Sequence, residues 1–137
     1  MPIGETAPAM LDRYRRSAER RSENFADQSP SDRHELRIAL KKMRYTTELF
    51  AGLYAERPVA EFTQRLKRLQ DGLGTANDVH IAESLIHELG NSTPKGADIV
   101  TSGRQVLEWH KRRLIKGDKK IREDLRLLME TKPFWLL

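Results

Sequence analysis

Hydrophobic residues recur every three or four positions along most of the chain, which is the spacing of one face of an α-helix. The two clearest stripes are Phe62, Leu66, Leu69 and Leu73, followed by Ile81, Leu85 and Leu89. The alternating apolar and polar residues that are typical of strands are absent from the sequence. The pattern predicts an all-α fold, and short connections favour an antiparallel helical bundle of about five to six helices.

Capping residues and prolines locate the first two helices. A basic first helix is expected over residues 6–24, and a second helix over residues 30–55. Ser29 is suited to cap the second helix, and Pro30 is suited to its first position. These two helices contain most of the candidate chemistry described below.

The later helices are delimited by glycines and by further capping residues. Pro58 can open a third helix that ends near Gly72 and Gly74. Thr75 and Asp78 then resemble a capping box that opens a fourth helix. The remaining signals are an end at Gly90, a start at Thr93-Pro94, a break or softening at Gly117-Asp118, and a stop at Pro133.

Length and charge limit the classes of protein and partner. The 137 residues predict a single domain over 1–137, with 38% hydrophobic and 33% charged residues. The net charge of +5 favours anionic partners such as phosphate chains, nucleic acid or acidic membrane surfaces. There are no cysteines, no signal-peptide pattern and no apolar run long enough to span a bilayer. We therefore expect a cytoplasmic protein with no membrane partner.

The second helix has two distinct sides when its residues are placed 100° apart. The expected core side consists of Leu36, Leu40, Met43, Thr47 and Phe50. The other side consists of His34, Arg37, Lys41, Arg44 and Glu48. His34 and Arg44 are ten residues apart, about 15 Å of helix. Arginine forks, lysine and histidine together form an array of donors suited to several consecutive phosphate groups.

The same spacing also fits a simpler interpretation. Basic helix faces are commonly solvated, and spacing alone slightly favours that interpretation for Arg37, Lys41 and Arg44. Tyr45 is more typical of core packing than of ligand contact. Glu48 is expected to orient a neighbouring base rather than to touch an anion.

Three segments resemble the CHAD family, the conserved-histidine α-helical domains. HELRIALKKMRYTTELF, at 34–50, is similar to the signature helix of that family. LKRLQDGLGTAND, at 66–78, is similar to its second motif, and KPFW, at 132–135, to a common terminus. The resemblance runs from about Leu11 to Trp135, and three motifs in the same order are more specific than any one of them.

The resemblance implies helical bundles, no intrinsic catalysis and binding of inorganic polyphosphate in a basic groove, with phosphate or sulfate ions as mimics. By this resemblance the phosphate contacts would be His34, Arg37, Lys41 and Arg44, with Lys42 and Tyr45 as lesser candidates. Some family members localise to polyphosphate granules, so a granule location is a further expectation.

The chain departs from the family pattern in one respect. A complete CHAD domain has two similar halves, whereas this chain has the motif once and resembles the C-terminal half. The groove would then be incomplete in a monomer, and we expect a homodimer in which a two-fold axis supplies the missing half. A degenerate paralogue with weakened binding is the alternative.

Several residues outside the second helix could extend the anion track or serve only as solvated surface. These polyphosphate-binding candidates are Arg13, Arg16, Arg20, Arg65, Arg68 and Arg113. Gln70 is expected to be a buried hydrogen-bonding residue. Val106, His110 and Leu114 are expected to face the core, and Trp109, Phe134 and Trp135 to be core or interface anchors.

The sequence favours binding over catalysis. It contains no phosphate-binding loop, no nucleophile elbow and no clustered carboxylates on an inward face, so we expect neither an enzyme nor a cofactor. His80, Glu83 and His87 share a face, but this face is predicted to be solvated, and we expect no metal site. Nucleic-acid backbone binding is the main rival. A granule-associated structural or interaction protein is the third possibility.

Overall fold

The described part of the chain folds into four α-helices and three short 3-10 helices. The computed structural model describes residues 3–92 and 96–137. Its α-helices are α1 (Ile3–Ser22), α2 (Pro30–Phe50), α3 (Glu56–Ser92) and α4 (Gly96–Glu130). The 3-10 helices are Phe25–Asp27, Ala51–Leu53 and Phe134–Leu136, and the described ranges contain no strand. The predicted all-α fold is confirmed.

Each helix packs against the next one in the chain, and α3 runs antiparallel to both α2 and α4. In the pair α3 and α4, Gly72 lies beside Ile121 near one end, whereas Ile86 lies beside Gly103 further along. The order of these contacts is reversed between the two helices, as it must be in an antiparallel pair. The helices therefore form the predicted bundle.

The core is formed by the apolar sides of the four helices. Leu36, Leu40, Met43 and Thr47 of α2 are all fully buried, at 0% exposure, as the wheel predicts. The predicted α3 stripe, Phe62, Leu66, Leu69 and Leu73, is also buried. Each fully buried leucine contributes about 1.5–3 kcal/mol through removal of apolar surface from water. With one side of α2 fixed in the core, its opposite side must face outward.

One prediction of helix boundaries is wrong. The third and fourth helices of the sequence analysis are a single helix, α3, which passes through Gly72 and Gly74 without interruption. Gly72 instead allows close packing, because a Cβ there would lie 3.0 Å from Cγ1 of Ile121. Thr75 donates to the carbonyl of Asp71 within the helix, at 3.1 Å, rather than opening a new one. Asp78 is accordingly inside α3 and caps nothing.

The distal part of the α3–α4 pair is also exposed where a core was expected. Ile81 and Leu85 are 56% and 52% exposed, because α3 has 37 residues and extends beyond the 21-residue α2. Val106, predicted on the core side of α4, is 56% exposed, and its neighbour Leu107 is buried instead. Trp109 is exposed as well.

Three further predictions concern α4. The helix is continuous through Gly117-Asp118, so no break occurs there. The predicted start at Thr93-Pro94 lies outside the described residues. The side chains of His110 and Leu114 also lie outside them.

Further contacts fix the C-terminal residues and α4 against the rest of the bundle. The Trp135 indole donates to Asp12 Oδ1 at 2.7 Å, and Phe134 packs edge-on against Tyr54 at 5.1 Å. Burial, with a smaller contribution from Asp12, raises the pKa of Tyr54 above its ordinary value. Arg33 pairs with Asp118 at 3.0 Å and so links the start of α2 to α4.

In the described part of the chain, no helix combines the length and hydrophobicity needed to cross a bilayer.

Candidate functional site

The outward side of α2 displays the predicted basic residues. The helix begins where Ser29 Oγ accepts a hydrogen bond from the backbone nitrogen of Asp32 at 3.1 Å, which confirms Ser29 as the N-cap. We call the outward set the basic face: His34, Arg37, Lys41 and Arg44. His34 and Lys41 are exposed, whereas Arg37 and Arg44 are half-buried against α3. The face therefore has a fixed edge along α3 and an open side toward solvent.

Gln70 of α3 orients both arginines of this edge. Arg37 donates through Nε to the backbone oxygen of Gln70 at 3.4 Å, and Arg44 donates through Nη1 to its side-chain oxygen at 3.2 Å. Gln70 is 6% exposed, which confirms the prediction that it is a buried hydrogen-bonding residue. Because both acceptors are neutral, they orient the guanidinium groups without cancelling their charge.

Gly74 provides the space that Arg37 occupies. A Cβ at this position would lie 3.5 Å from both Nε and Nη2 of Arg37. The guanidinium group therefore rests against the bare backbone of α3, one turn after Gln70. Glycine at position 74 is typical of a helix end, and nothing in the spacing alone identifies it as a neighbour of Arg37.

Tyr45 borders the basic face and is not a core residue. It is 52% exposed, which contradicts the expectation of core packing. Lys41 Nζ lies 5.8 Å from the centre of the ring, and Arg44 Cζ lies 5.9 Å from it. Cation–π attraction at such exposed sites contributes about 0.5–1 kcal/mol. Arg44 Nε also donates to Glu48 at 3.1 Å, so Glu48 orients a base, as predicted.

A second group of cations lies on the other flank of α2. Lys42 of α2 lines a cleft of about 240 Å³ together with Arg13, Arg20 and Arg21 of α1. Glu35 of α2 lines the same cleft and pairs with Arg21 at 3.9 Å. We call it the α1–α2 cleft. The predicted candidates Arg13, Arg20 and Lys42 thus lie together on the side of α2 that faces α1. Arg37 and Arg44 lie on the side that faces α3.

Of the other peripheral candidates that the structure describes, none lines the α1–α2 cleft or bonds to the residues of the basic face. Arg16 lies on the outer side of α1, and Arg68 is exposed on α3. Arg65 donates to Thr131 Oγ1 at 2.6 Å, so it faces the end of α4 rather than the basic face. The side chain of Arg113 lies outside the described residues. The candidate binding residues are therefore found on α2 and on the two helices that flank it, α1 and α3.

A family model described as CHAD domain matches residues 1–87, which is more than half of the chain. The matched segment contains α1, α2 and most of α3, the three helices that form the basic face and the α1–α2 cleft. No curated protein and no solved structure matches the chain.

Proposed function

We propose, since this chain belongs to the CHAD domain family, that it binds inorganic polyphosphate without catalysing a reaction. The observation that supports this proposal most directly is the pair of arginines oriented by Gln70, beside the exposed Lys41. A polyphosphate carries a charge on every unit, and a row of fixed donors can contact several units at once. Phosphate or sulfate ions would bind as weak mimics of single units.

The hydrogen bonds within the site leave donors for a ligand. Arg37 is bonded to Gln70 through Nε, so its two terminal nitrogens can form the planar fork that fits two phosphate oxygens. Arg44 contacts Glu48 and Gln70 through Nε and Nη1, which leaves its Nη2 without a hydrogen bond to the described residues and so available to a ligand. Lys41 adds a flexible cation at the solvent side, and His34 adds an imidazole there.

A charge-matched pair of variants tests the proposal. The site variant combines Arg37→Gln, Lys41→Gln and Arg44→Gln. The control replaces three exposed cations of α4 by glutamine: Lys119, Lys120 and Arg122. Glutamine is a good helix former, so both variants should keep their helices.

We expect the site variant to lose at least about 100-fold in affinity for long-chain polyphosphate, because each lost charge-assisted bond contributes about 1.5 kcal/mol or more. The control should stay within about threefold. Isothermal titration calorimetry at one fixed salt concentration measures both. Equal losses in the two variants would mean that net charge, rather than the basic face, is recognised.

Nucleic-acid binding is the second candidate, and the exposed Tyr45 beside Lys41 favours it. Base stacking on an aromatic side chain contributes about 1–3 kcal/mol per base. If single-stranded RNA is the ligand, Tyr45→Leu should weaken its binding and RNA should displace polyphosphate. Under our proposal polyphosphate displaces RNA, and Tyr45→Leu leaves polyphosphate binding within about threefold.

We further propose that the chain corresponds to the C-terminal half of a two-half CHAD domain and pairs as a homodimer to complete its groove. A two-fold axis would place the basic face of one protomer opposite that of its partner. Light scattering with and without polyphosphate measures the molar mass. A strict monomer that binds with full affinity would contradict the pairing.

The proposed location is the cytoplasm, at polyphosphate granules, where the protein would act as a granule-associated binding module. Fluorescence microscopy of tagged wild type and of the site variant tests this. We expect granule signal from the wild type and a diffuse signal from the variant. A variant that still accumulates at granules would indicate a structural role through another surface.

A further inference from the structure

The α1–α2 cleft adjoins the basic face but points to the other side of α2. Its α2 residues Glu35, Ile38 and Lys42 each follow a basic-face residue by one position, so they lie about 100° further round the helix. From Arg13 to Arg21 the α1 wall is eight residues long, about 12 Å. The cleft and the basic face are therefore two elongated basic surfaces that lie side by side along the outward side of α2.

The cleft has more positive charge than its own carboxylate can balance. Four cations line it against one carboxylate, Glu35, which lies 3.9 Å from Arg21. The other three cations are Arg13, Arg20 and Lys42, and their side chains form no hydrogen bond or ion pair within residues 3–92 and 96–137. Converging cations repel one another, and a bound anion would relieve that repulsion.

Neutral donors line the same cleft. Tyr14 and Ser17 are half-buried in its α1 wall, and their hydroxyl groups can donate to an anionic oxygen. The carboxylates Asp12, Glu19 and Glu23 do not line this cleft; they line the neighbouring surface of α1, which Arg13 and Arg20 also border. A polyanion entering the cleft thus meets arginine forks, a lysine and hydroxyl groups, with one carboxylate at the side.

We propose that the α1–α2 cleft is a second anion subsite, which holds phosphate groups of the same polyphosphate chain that contacts the basic face. The inference rests on the proposed function and adds a path for the ligand. The polyphosphate passes over the outward surface of α2 at Lys41 and Lys42. Long chains contact both surfaces, whereas tripolyphosphate is confined to one of them. The cleft therefore gives the protein its preference for long chains.

The first test removes the three unpartnered cations. The cleft variant combines Arg13→Gln, Arg20→Gln and Lys42→Gln, and the α4 glutamine triple variant is again the charge-matched control. We expect the cleft variant to bind long-chain polyphosphate at least about tenfold more weakly than the control. Its affinity for tripolyphosphate should fall by less than about threefold, because the basic face is intact. Its dependence on salt should also be shallower, because fewer phosphates are contacted.

The second test predicts a gain, which a folding defect cannot imitate. Glu35→Gln removes the carboxylate of the cleft and releases Arg21. Glu61→Gln is the matched control, since Glu61 pairs with Arg57 at 3.3 Å on exposed α3 surface and has the same charge. Glu35→Gln should tighten binding of long-chain polyphosphate about threefold relative to Glu61→Gln.

The outcomes separate the inference from the proposed function. If the wild type binds no polyphosphate of either length, the proposed function itself is wrong. If the wild type binds and the cleft variant matches its control at both lengths, the cleft is not a subsite. An equal loss at both lengths would make the cleft an independent site rather than part of one continuous path. A larger loss with long chains, together with the gain from Glu35→Gln, supports the shared path.

Discussion

Gln70 lies where α2 meets α3, and both of its carbonyl oxygens accept hydrogen bonds from the basic face. A neutral residue at this position orients Arg37 and Arg44 without adding a second carboxylate to the one that Glu48 already places beside Arg44. A carboxylate here would hold Arg44 at least as firmly, but it would compete with phosphate for the same guanidinium group. Gln70 is therefore a positioning residue, and its side chain has separable effects on stability and on binding.

Two substitutions separate these effects. Gln70→Leu removes the acceptor of Arg44, and we expect a loss of about 1 kcal/mol in unfolding free energy and a three- to tenfold loss of polyphosphate affinity. Gln70→Glu should keep the stability and lose more affinity, because it places a second carboxylate on Arg44 beside Glu48. Urea unfolding and calorimetric titration measure the two quantities, with the exposed Gln64→Leu as the control. An unchanged affinity in both Gln70 variants would exclude a positioning role.

The burial of Gln70 is predictable from the sequence, but its partners are not. A polar residue beside the buried Leu69 must find hydrogen bonds, and that reasoning needs no structure. Arg37 and Arg44 come from another helix, so their distance from Gln70 depends on the register between α2 and α3. Tyr45 shows the same limit, because the pattern alone cannot tell whether a neighbouring helix covers it.

At the scale of elements, the glycines of α3 and α4 explain why the predicted boundaries were partly wrong. Glycine is typical both of helix ends and of places where two helices approach closely. Gly72 belongs to the second class, because a Cβ there would lie 3.0 Å from Cγ1 of Ile121 in α4 and would require that side chain to shift. The apolar stripe of Ile81 and Leu85 was misassigned for a related reason: helical spacing identifies a face, but only the lengths of neighbouring helices decide whether it is covered.

Two glycines of α4 make a matched test of close packing. A Cβ at Gly103 would lie 2.9 Å from Cδ1 and from Cγ2 of Ile86, whereas Gly117 has open space around it. Gly117→Ala should therefore stabilise the protein by about 0.5–1 kcal/mol through helix propensity. Gly103→Ala gains the same propensity but overpacks the α3–α4 contact at a cost of about 1–3 kcal/mol, so we expect net destabilisation.

Thermal and urea unfolding of the two alanine variants measure the difference. Adding Ile86→Val to Gly103→Ala removes Cδ1 and should recover part of the lost stability. If Gly103→Ala were as stabilising as Gly117→Ala, the two helices would have to separate easily, and close packing could not be the reason for the glycine.

At the scale of the whole molecule, the C-terminal segment covers one end of the bundle. The exposed part of the α3–α4 pair, around Ile81 and Val106, lies at the other end. Phe134 and Trp135 are 4% and 6% exposed and pack edge-on against Phe62 of α3. The Trp135 indole reaches Asp12 of α1, and Arg15 of the same helix donates to the carbonyl oxygen of Met129 at 2.8 Å. The helices α1 and α4 are thus joined at this end of the bundle, whereas the basic face lies along the middle of α2.

This separation predicts that stability and binding change independently. Trp135→Ala should cost about 3–5 kcal/mol of unfolding free energy, whereas exposed Leu136→Ala should cost less than about 0.5 kcal/mol. Polyphosphate at about 100 times its dissociation constant stabilises a folded protein by about 2.7 kcal/mol, provided that the unfolded chain does not bind it. If the basic face is fully formed in the folded state of Trp135→Ala, this increment should equal that of the wild type. Urea unfolding with and without saturating polyphosphate measures it, and a smaller increment in Trp135→Ala would mean that closure of the bundle end also orients the arginines of α2.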